Sequence, residues 1–166
     1  MKLAFLLILL IVNLTCSFNQ LTNYTNNTEV KENSDSLKLG EIIKCPKIAL
    51  KIDGSGLIES SKDSVRIIAK TIKDNPNYKF ELSYHTDQRG ASNSNLEISK
   101  RYADFIKNYL IDNYNISPDQ LISKGYGESQ PIISIEEIEK ADKFETEKLY
   151  SINRRFELKV LDYLSH

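Results

Sequence analysis

The feature that most limits what this chain can become is a change of hydrophobic period between residues 78 and 110. Tyr78, Phe80, Leu82 and Tyr84 alternate with Lys79, Glu81, Ser83 and His85. A period of two is the pattern of a strand with one apolar face. From Ile98 onward, Tyr102, Phe105, Ile106, Tyr109 and Leu110 recur at helical spacing. The two runs meet at Tyr84-His85-Thr86-Asp87-Gln88-Arg89-Gly90. A strand that hands over to a helix there must bury its apolar face against the helix stripe, so the unit is a helix laid on a sheet. Polar and charged groups collect at the handover. The backbone N–H groups of a helix start are unpaired there and favour negative charge.

The flanking runs complete the layers. Residues 47–53 alternate, with Ile48, Leu50 and Ile52 on one face, and predict a first strand that Asp53-Gly54-Ser55-Gly56 breaks. Ser60 is the candidate N-cap of a helix whose Val65, Ile68, Ala69 and Ile72 fall at i, i+3, i+4 and i+7. Asn75-Pro76-Asn77 ends that helix, because proline cannot continue it. Residues 121–126 predict a third strand running into Gly125-Tyr126-Gly127-Glu128. Residues 135–150 are charged and predict partly helical structure on the surface. Residues 154–163 predict a last strand, with Phe156, Leu158 and Val160 opposite Arg155, Glu157 and Lys159. The order β-α-β-α-β-(α)-β describes an α+β domain, two main helices packed on one face of a small mixed β-sheet.

The chain has 166 residues, room for one ordinary domain and short accessory segments. Lys2 precedes an unbroken apolar run at residues 3–12 that is too short to span a bilayer in the usual way. That is the layout of a secretory signal, placed here at residues 1–17. Two endings stay open. Cleavage after Ser17 removes Cys16, whereas a retained Cys16, directly after the apolar run, resembles the lipid-attachment cysteine of bacterial lipoproteins and would tether the protein to a membrane. Residues 18–44 are crowded with Asn, Thr, Ser, Glu and Lys and predict a flexible polar linker. The folded domain is placed at residues 45–164. Cys16 and Cys45 alone make no disulfide framework. A formal charge of -1 removes the electrostatic case for nucleic acid. His85 and Asp87 stand two apart, a pair a hydrolase can use, but no nucleophile signature or metal-spaced His/Cys cluster accompanies them. Neither catalysis, cofactor nor metal is therefore expected.

His85-Thr86-Asp87, Gly90, Asn95, Ile98-Ser99 and Ala103, in that order, resemble the signature of the OmpA-like domain. That is the C-terminal peptidoglycan-binding domain of outer membrane protein A, found also in peptidoglycan-associated lipoproteins. Gly125-Tyr126-Gly127-Glu128-Ser129-Gln130-Pro131 resembles its turn, and Asn153-Arg154-Arg155-Phe156-Glu157 its closing strand. The resemblance runs from Ile48 to Leu161. It implies binding of the peptidoglycan stem peptide, usually through diaminopimelate. A zwitterion of that kind needs a carboxylate facing its ammonium, and a cation or N–H groups facing its carboxylate.

The resemblance gives Asp87 the ammonium, although by residue chemistry alone an N-cap or turn residue is the commoner role for an aspartate here. Thr86 and Asn95 match positions that shape the loop and add hydrogen bonds, and bracing the loop is the plainer role for both. One departure matters. The family arginine that meets the ligand carboxylate is replaced by Tyr102, while Arg101, one residue earlier, is turned by about 100° around the helix. A tyrosine hydroxyl can donate but carries no charge. The missing cation is then expected from Arg155 or Arg154 on the closing strand, or from Arg89 in the loop. Strand alternation lets only one of Arg154 and Arg155 face the site, and Arg155 is the one assigned to it here. Tyr84 and Lys51 also depart, where the family usually has glycine and aspartate. The partners implied are peptidoglycan, the outer membrane through a lipid anchor at Cys16, and other envelope proteins, in the outer membrane or periplasm. The alternative is a protein-interaction module of an envelope complex that keeps the fold and binds peptidoglycan weakly or not at all.

Overall fold

In the computed structural model, which describes residues 37–51 and 56–164, the alternating run forms strand β2 (Tyr78–His85) inside a four-stranded sheet. The sheet order is β1-β4-β2-β3, with β1 at Ile42–Lys44, β3 at Leu121–Gly127 and β4 at Arg155–Tyr163. β2 runs parallel to β3 and antiparallel to β4, so the sheet is mixed. The helices are α1 (Lys62–Lys73), α2 (Ser92–Tyr114), α3 (Ile135–Ile138) and α4 (Lys143–Asn153). The α+β class holds, and so does the element order. The leader at residues 1–17, Cys16 and the linker as far as residue 36 lie outside the described residues, as do Ile52, Asp53, Gly54 and Ser55. Among the described residues no helix is long and apolar enough to cross a membrane.

The core forms where the two periods meet. Phe80 and Leu82 of β2 and Leu158 and Val160 of β4 pack with Val65, Ile68 and Ile72 of α1 and Ile106 and Leu110 of α2, all buried. The register pairs Tyr84 with Phe156 and Leu82 with Leu158, so the apolar faces of the two strands coincide. Truncating a core aromatic such as Phe80 to alanine leaves a cavity worth about 3–5 kcal/mol. The α1 stripe is the one the spacing predicts.

The α2 stripe is displaced from its largest residues. Its buried line is Asn95, Ser99, Ala103, Ile106 and Leu110, and the larger Tyr102, Phe105 and Tyr109 flank it, half-buried. The cause is a close approach to β3. A Cβ added at Gly125 would lie 2.2 Å from the Lys100 backbone nitrogen and 2.5 Å from Ser99 Oγ. Only small groups fit along that contact.

Two local expectations are corrected. The sheet's first strand is Ile42–Lys44, inside the stretch read as linker, where it pairs antiparallel with β4. Gly40 N donates to Val160 O at 2.8 Å and Tyr78 Oη to Leu37 O at 3.0 Å, which fixes this segment to the sheet from residue 37 onward. Of the alternation at residues 47–53, the described residues 47–51 give an isolated bridge between Leu50 and Leu57. Ile48 and Leu50 still pack on the core, which explains their part of the pattern without a ladder. Ser60 does not cap α1. The N-cap is Ser61, whose Oγ accepts from Ala49 N at 2.8 Å instead.

Candidate functional site

The handover from β2 to α2 is a loop held from below by Asn95. Its Nδ2 donates to Arg89 O at 3.1 Å, to Asp87 O at 3.3 Å and to a Glu128 carboxylate oxygen. Gly90, at φ 102, supplies a backbone turn that side-chain-bearing residues rarely adopt. Glu128 also accepts from Ser92 Oγ at 2.6 Å, so the loop and the start of α2 are tied to the end of β3. Asn95 is thus a buried brace. Thr86 is buried too, and its backbone N donates to Gly127 O at 2.9 Å while its hydroxyl has no hydrogen-bond partner among the described residues. Neither side chain faces solvent.

Asp87 is the centre of the site. Its Oδ1 accepts from Arg89 N at 3.0 Å and Arg89 Nε at 3.2 Å, and its Oδ2 accepts from Arg89 Nη2 at 2.7 Å and from Arg154 Nη1. The bond to Arg89 N is an aspartate turn, so the plainer structural role is real. It does not exhaust the carboxylate, which also anchors both guanidiniums. It caps no helix, since the N-cap of α2 is Ala91. Burial raises the carboxyl pKa, and the hydrogen bonds from Arg89 and Arg154 outweigh it, so the group sits below its ordinary value. Both arginines continue outward to Glu147 on α4, Arg89 Nη1 at 2.9 Å and Arg154 Nη2 at 2.7 Å. The four charges close a ring that alternates in sign. Exposure rises along it from Asp87 at 9% through Arg154 at 31% and Arg89 at 49% to Glu147 at 63%. The ring therefore opens to solvent on its Glu147 side.

The closing-strand arginine beside Asp87 is Arg154, and Arg155, the one expected there, lies elsewhere. Arg155 donates to Glu157 Oε1 at 2.7 Å, Asn153 O at 3.1 Å and Gln130 O at 3.0 Å. It belongs to a buried polar cluster on the other face of the sheet. There His85 Nε2 lies 3.4 Å from Glu157 Oε2, and its ring stacks on Tyr126 at 5.0 Å. Burial raises the Glu157 carboxyl, but hydrogen bonds from His85 and Arg155 outweigh it and lower its pKa to about 2. Arg154 shares the parity of Phe156, which faces the helices. That parity is the signal that could have selected it.

Tyr102 and Arg101 take other roles. Tyr102 packs on Tyr84, ring centroids 5.3 Å apart, and Arg101 is exposed with its Cζ 5.8 Å from the Tyr102 ring. Tyr84 is pushed up to about 12 by burial, with Tyr102 and Asp87 adding and Arg154 opposing. The residues that sequence reasoning missed are Glu147 and Asn153. Asn153 is fully buried and accepts from Ile132 N and Ile133 N while donating to Gln88 Oε1 at 2.9 Å, which sets Arg154 in place beside the loop. Glu147 carries no local signal, being one acid among several on a charged helix. No group of three His, Cys, Asp or Glu that could hold a metal occurs among the described residues. Chemically the ring can receive a small zwitterion, anion toward the guanidiniums and cation toward Asp87.

Comparison with known proteins gives three findings. The family model described as "OmpA family" matches residues 51–144. Outer membrane porin F of Pseudomonas aeruginosa is 30% identical over 108 residues, 65% of this chain and 28% of that protein. A peptidoglycan-associated lipoprotein of Buchnera aphidicola is 27% identical over 116 residues, 70% of this chain and 63% of that protein. The chain thus spans less than two thirds of the length of either relative. Among solved structures, the periplasmic domain of Helicobacter pylori MotB matches at a TM-score of 0.58 and 20% identity, covering 77% of this chain and 80% of that one, which shows a shared fold.

Proposed function

We propose that this chain, which belongs to the OmpA family, is a non-catalytic module of the cell envelope that binds peptidoglycan through the Asp87–Arg154 site. The single observation that carries the reading is the position of Arg154. Tyr102 leaves the helix without the expected cation, and Arg154 brings one to Asp87 from the start of the closing strand. The site therefore keeps the paired opposite charges that a zwitterionic stem-peptide end requires. The ligand ammonium takes the place of the half-exposed Arg89 side chain at Asp87, while the ligand carboxylate meets the guanidiniums. Asn95 holds the loop in shape through both steps. The name of the Buchnera relative supports peptidoglycan as the partner, and the name of the Pseudomonas relative supports placement at the outer membrane. Delivery follows from residues 1–17 acting as an export signal, with Cys16 as the lipid-attachment point if it is retained.

Co-sedimentation with purified sacculi tests the function. The folded chain is expected in the pellet, released by soluble stem peptide bearing diaminopimelate. A chain that stays in the supernatant at every concentration replaces this reading with the envelope interaction module. Mass spectrometry of the mature N-terminus tests delivery: an acylated Cys16 establishes the tether, a start at Phe18 excludes it, and an intact Met1 excludes a cleaved signal.

A further inference from the structure

Glu147 places its carboxylate between the two cations of the site. Arg89 Nη1 donates to its Oε2 and Arg154 Nη2 to its Oε1, one guanidinium to each oxygen. An incoming carboxylate needs that same pair of donations. The Arg154 hydrogen bond, helped by Arg89, holds the Glu147 carboxyl below its ordinary value. The side chain is 63% exposed, so the seat opens on solvent rather than on the core. α4 grips Arg89 at a second point, because Arg89 Cζ lies 4.3 Å from the centre of the Tyr150 ring. Glu147 and Tyr150 are three residues apart on that helix and share a face.

Resting on the peptidoglycan reading, we propose that Glu147 is an internal competitor, whose carboxylate occupies the seat between Arg89 and Arg154 that the ligand's carboxylate takes. The ligand enters by exchanging one carboxylate for another. A stem peptide whose diaminopimelate carboxylate is free makes that exchange charge for charge. Its amidated counterpart offers the guanidiniums a neutral group, and Glu147 keeps the seat. The free acid therefore carries the cost of displacing Glu147, and the amidated peptide does not. Binding also releases α4 from the arginines, so the side-chain contacts of Glu147 differ between the free and bound protein.

The test has two arms. The first needs no wall ligand: acetate is titrated into wild type and Glu147→Ala, with chloride at equal ionic strength as the control, and the Arg89 and Arg154 Nε–H resonances are followed. Acetate is expected to shift both resonances saturably in Glu147→Ala, with a half-saturation at least about fivefold lower than in wild type. Equal responses in the two proteins overturn the seat. The second arm measures binding of free and amidated diaminopimelate stem peptides to wild type and Glu147→Gln. Loss of an exposed competitor is expected to tighten the free-acid peptide by about threefold to tenfold and the amidated peptide by less, widening the preference for the free acid. An unchanged affinity for the free acid overturns the competitor role. Acetate filling the seat in Glu147→Ala, with neither peptide bound by either protein, overturns the peptidoglycan reading and the competition with the wall ligand with it.

Discussion

Arg154 and Arg155 are neighbours in sequence with opposite consequences, and replacing each by alanine separates the site from the scaffold. Asp87 has four donors, three on Arg89 and one on Arg154. Arg154→Ala removes the charge-assisted hydrogen bond to Asp87, a class of bond worth about 1.5–3 kcal/mol in general, together with an exposed one to Glu147. Arg89 stays on the carboxylate and Arg154 is 31% exposed, so solvent screening places the stability loss below that range, at about 1 kcal/mol. Its effect on affinity is larger, because the ligand carboxylate loses a cation: a tenfold loss or more, about 1.4 kcal/mol per decade. Arg155 is the reverse. Its side chain is 11% exposed and its partner Glu157 16%, so Arg155→Ala leaves a nearly buried carboxylate short of its main donor. Breaking such a pair is destabilising by about 3 kcal/mol or more. Affinity of the folded protein should stay within about twofold, since Arg155 does not touch Asp87. Calorimetric unfolding together with sacculus co-sedimentation, well below the lower of the two transitions, reads both quantities. A tenfold affinity loss in Arg155→Ala alongside normal binding by Arg154→Ala refutes the reasoning and returns the cation to Arg155.

Gly125→Ala must push α2 off β3, because its Cβ would fall 2.2 Å from Lys100 N. A loss of about 3 kcal/mol or more is expected by chemical denaturation, whereas Gly56→Ala, whose nearest neighbour would be the flexible Lys51 side chain at 3.6 Å, is expected to be near neutral. Removing residues 1–44 deletes β1 and its ladder with β4, so this shorter chain should melt below one lacking residues 1–36, with a deficit of about 1–3 kcal/mol. Equal melting temperatures would show that the sheet does not need its first strand. The depressed Glu157 carboxyl stabilises the fold above the ordinary carboxylate range, and that contribution is lost as pH falls from its unfolded value toward about 2. Asp87, also depressed, adds a slope of the same sign. Glu157→Gln should flatten the acid limb measured by urea unfolding between pH 5 and 2, and an unaltered limb removes Glu157 as its source.

The parts of the fold that were legible are those set by a strong local period. Val65, Ile68, Ala69 and Ile72 form the buried stripe of α1 that their spacing requires, and Phe156, Leu158 and Val160 form the buried face of β4. β1 was not legible, because Ile42-Ile43-Lys44 has no alternation and becomes a strand only by pairing with β4. At the site, Asp87 and Asn95 were legible from their places in the loop motif. Of the three arginines the sequence offers as the cation it favours Arg155, whereas the structure puts Arg89 and Arg154 on Asp87, in keeping with the parity of Arg154 with Phe156. Glu147 is 60 residues from Asp87 in the chain and reaches it only through the arginines, so no local pattern marks it. Nor could sequence show that Asp87 already holds two guanidiniums. Asp87→Asn should therefore lower stability as well as affinity, where the loop motif alone suggests an effect on affinity only.

The central claim is that Asp87, paired with Arg154, grips the charged end of the stem peptide. The most direct measurement is the affinity of Asp87→Asn relative to wild type for sacculi and for soluble diaminopimelate stem peptide, at a temperature where calorimetry shows both proteins folded. Losing a charge-assisted contact and stranding its partner is worth about 2–5 kcal/mol, so the account predicts at least a tenfold loss for both ligands. Asp87→Asn binding as tightly as wild type contradicts it.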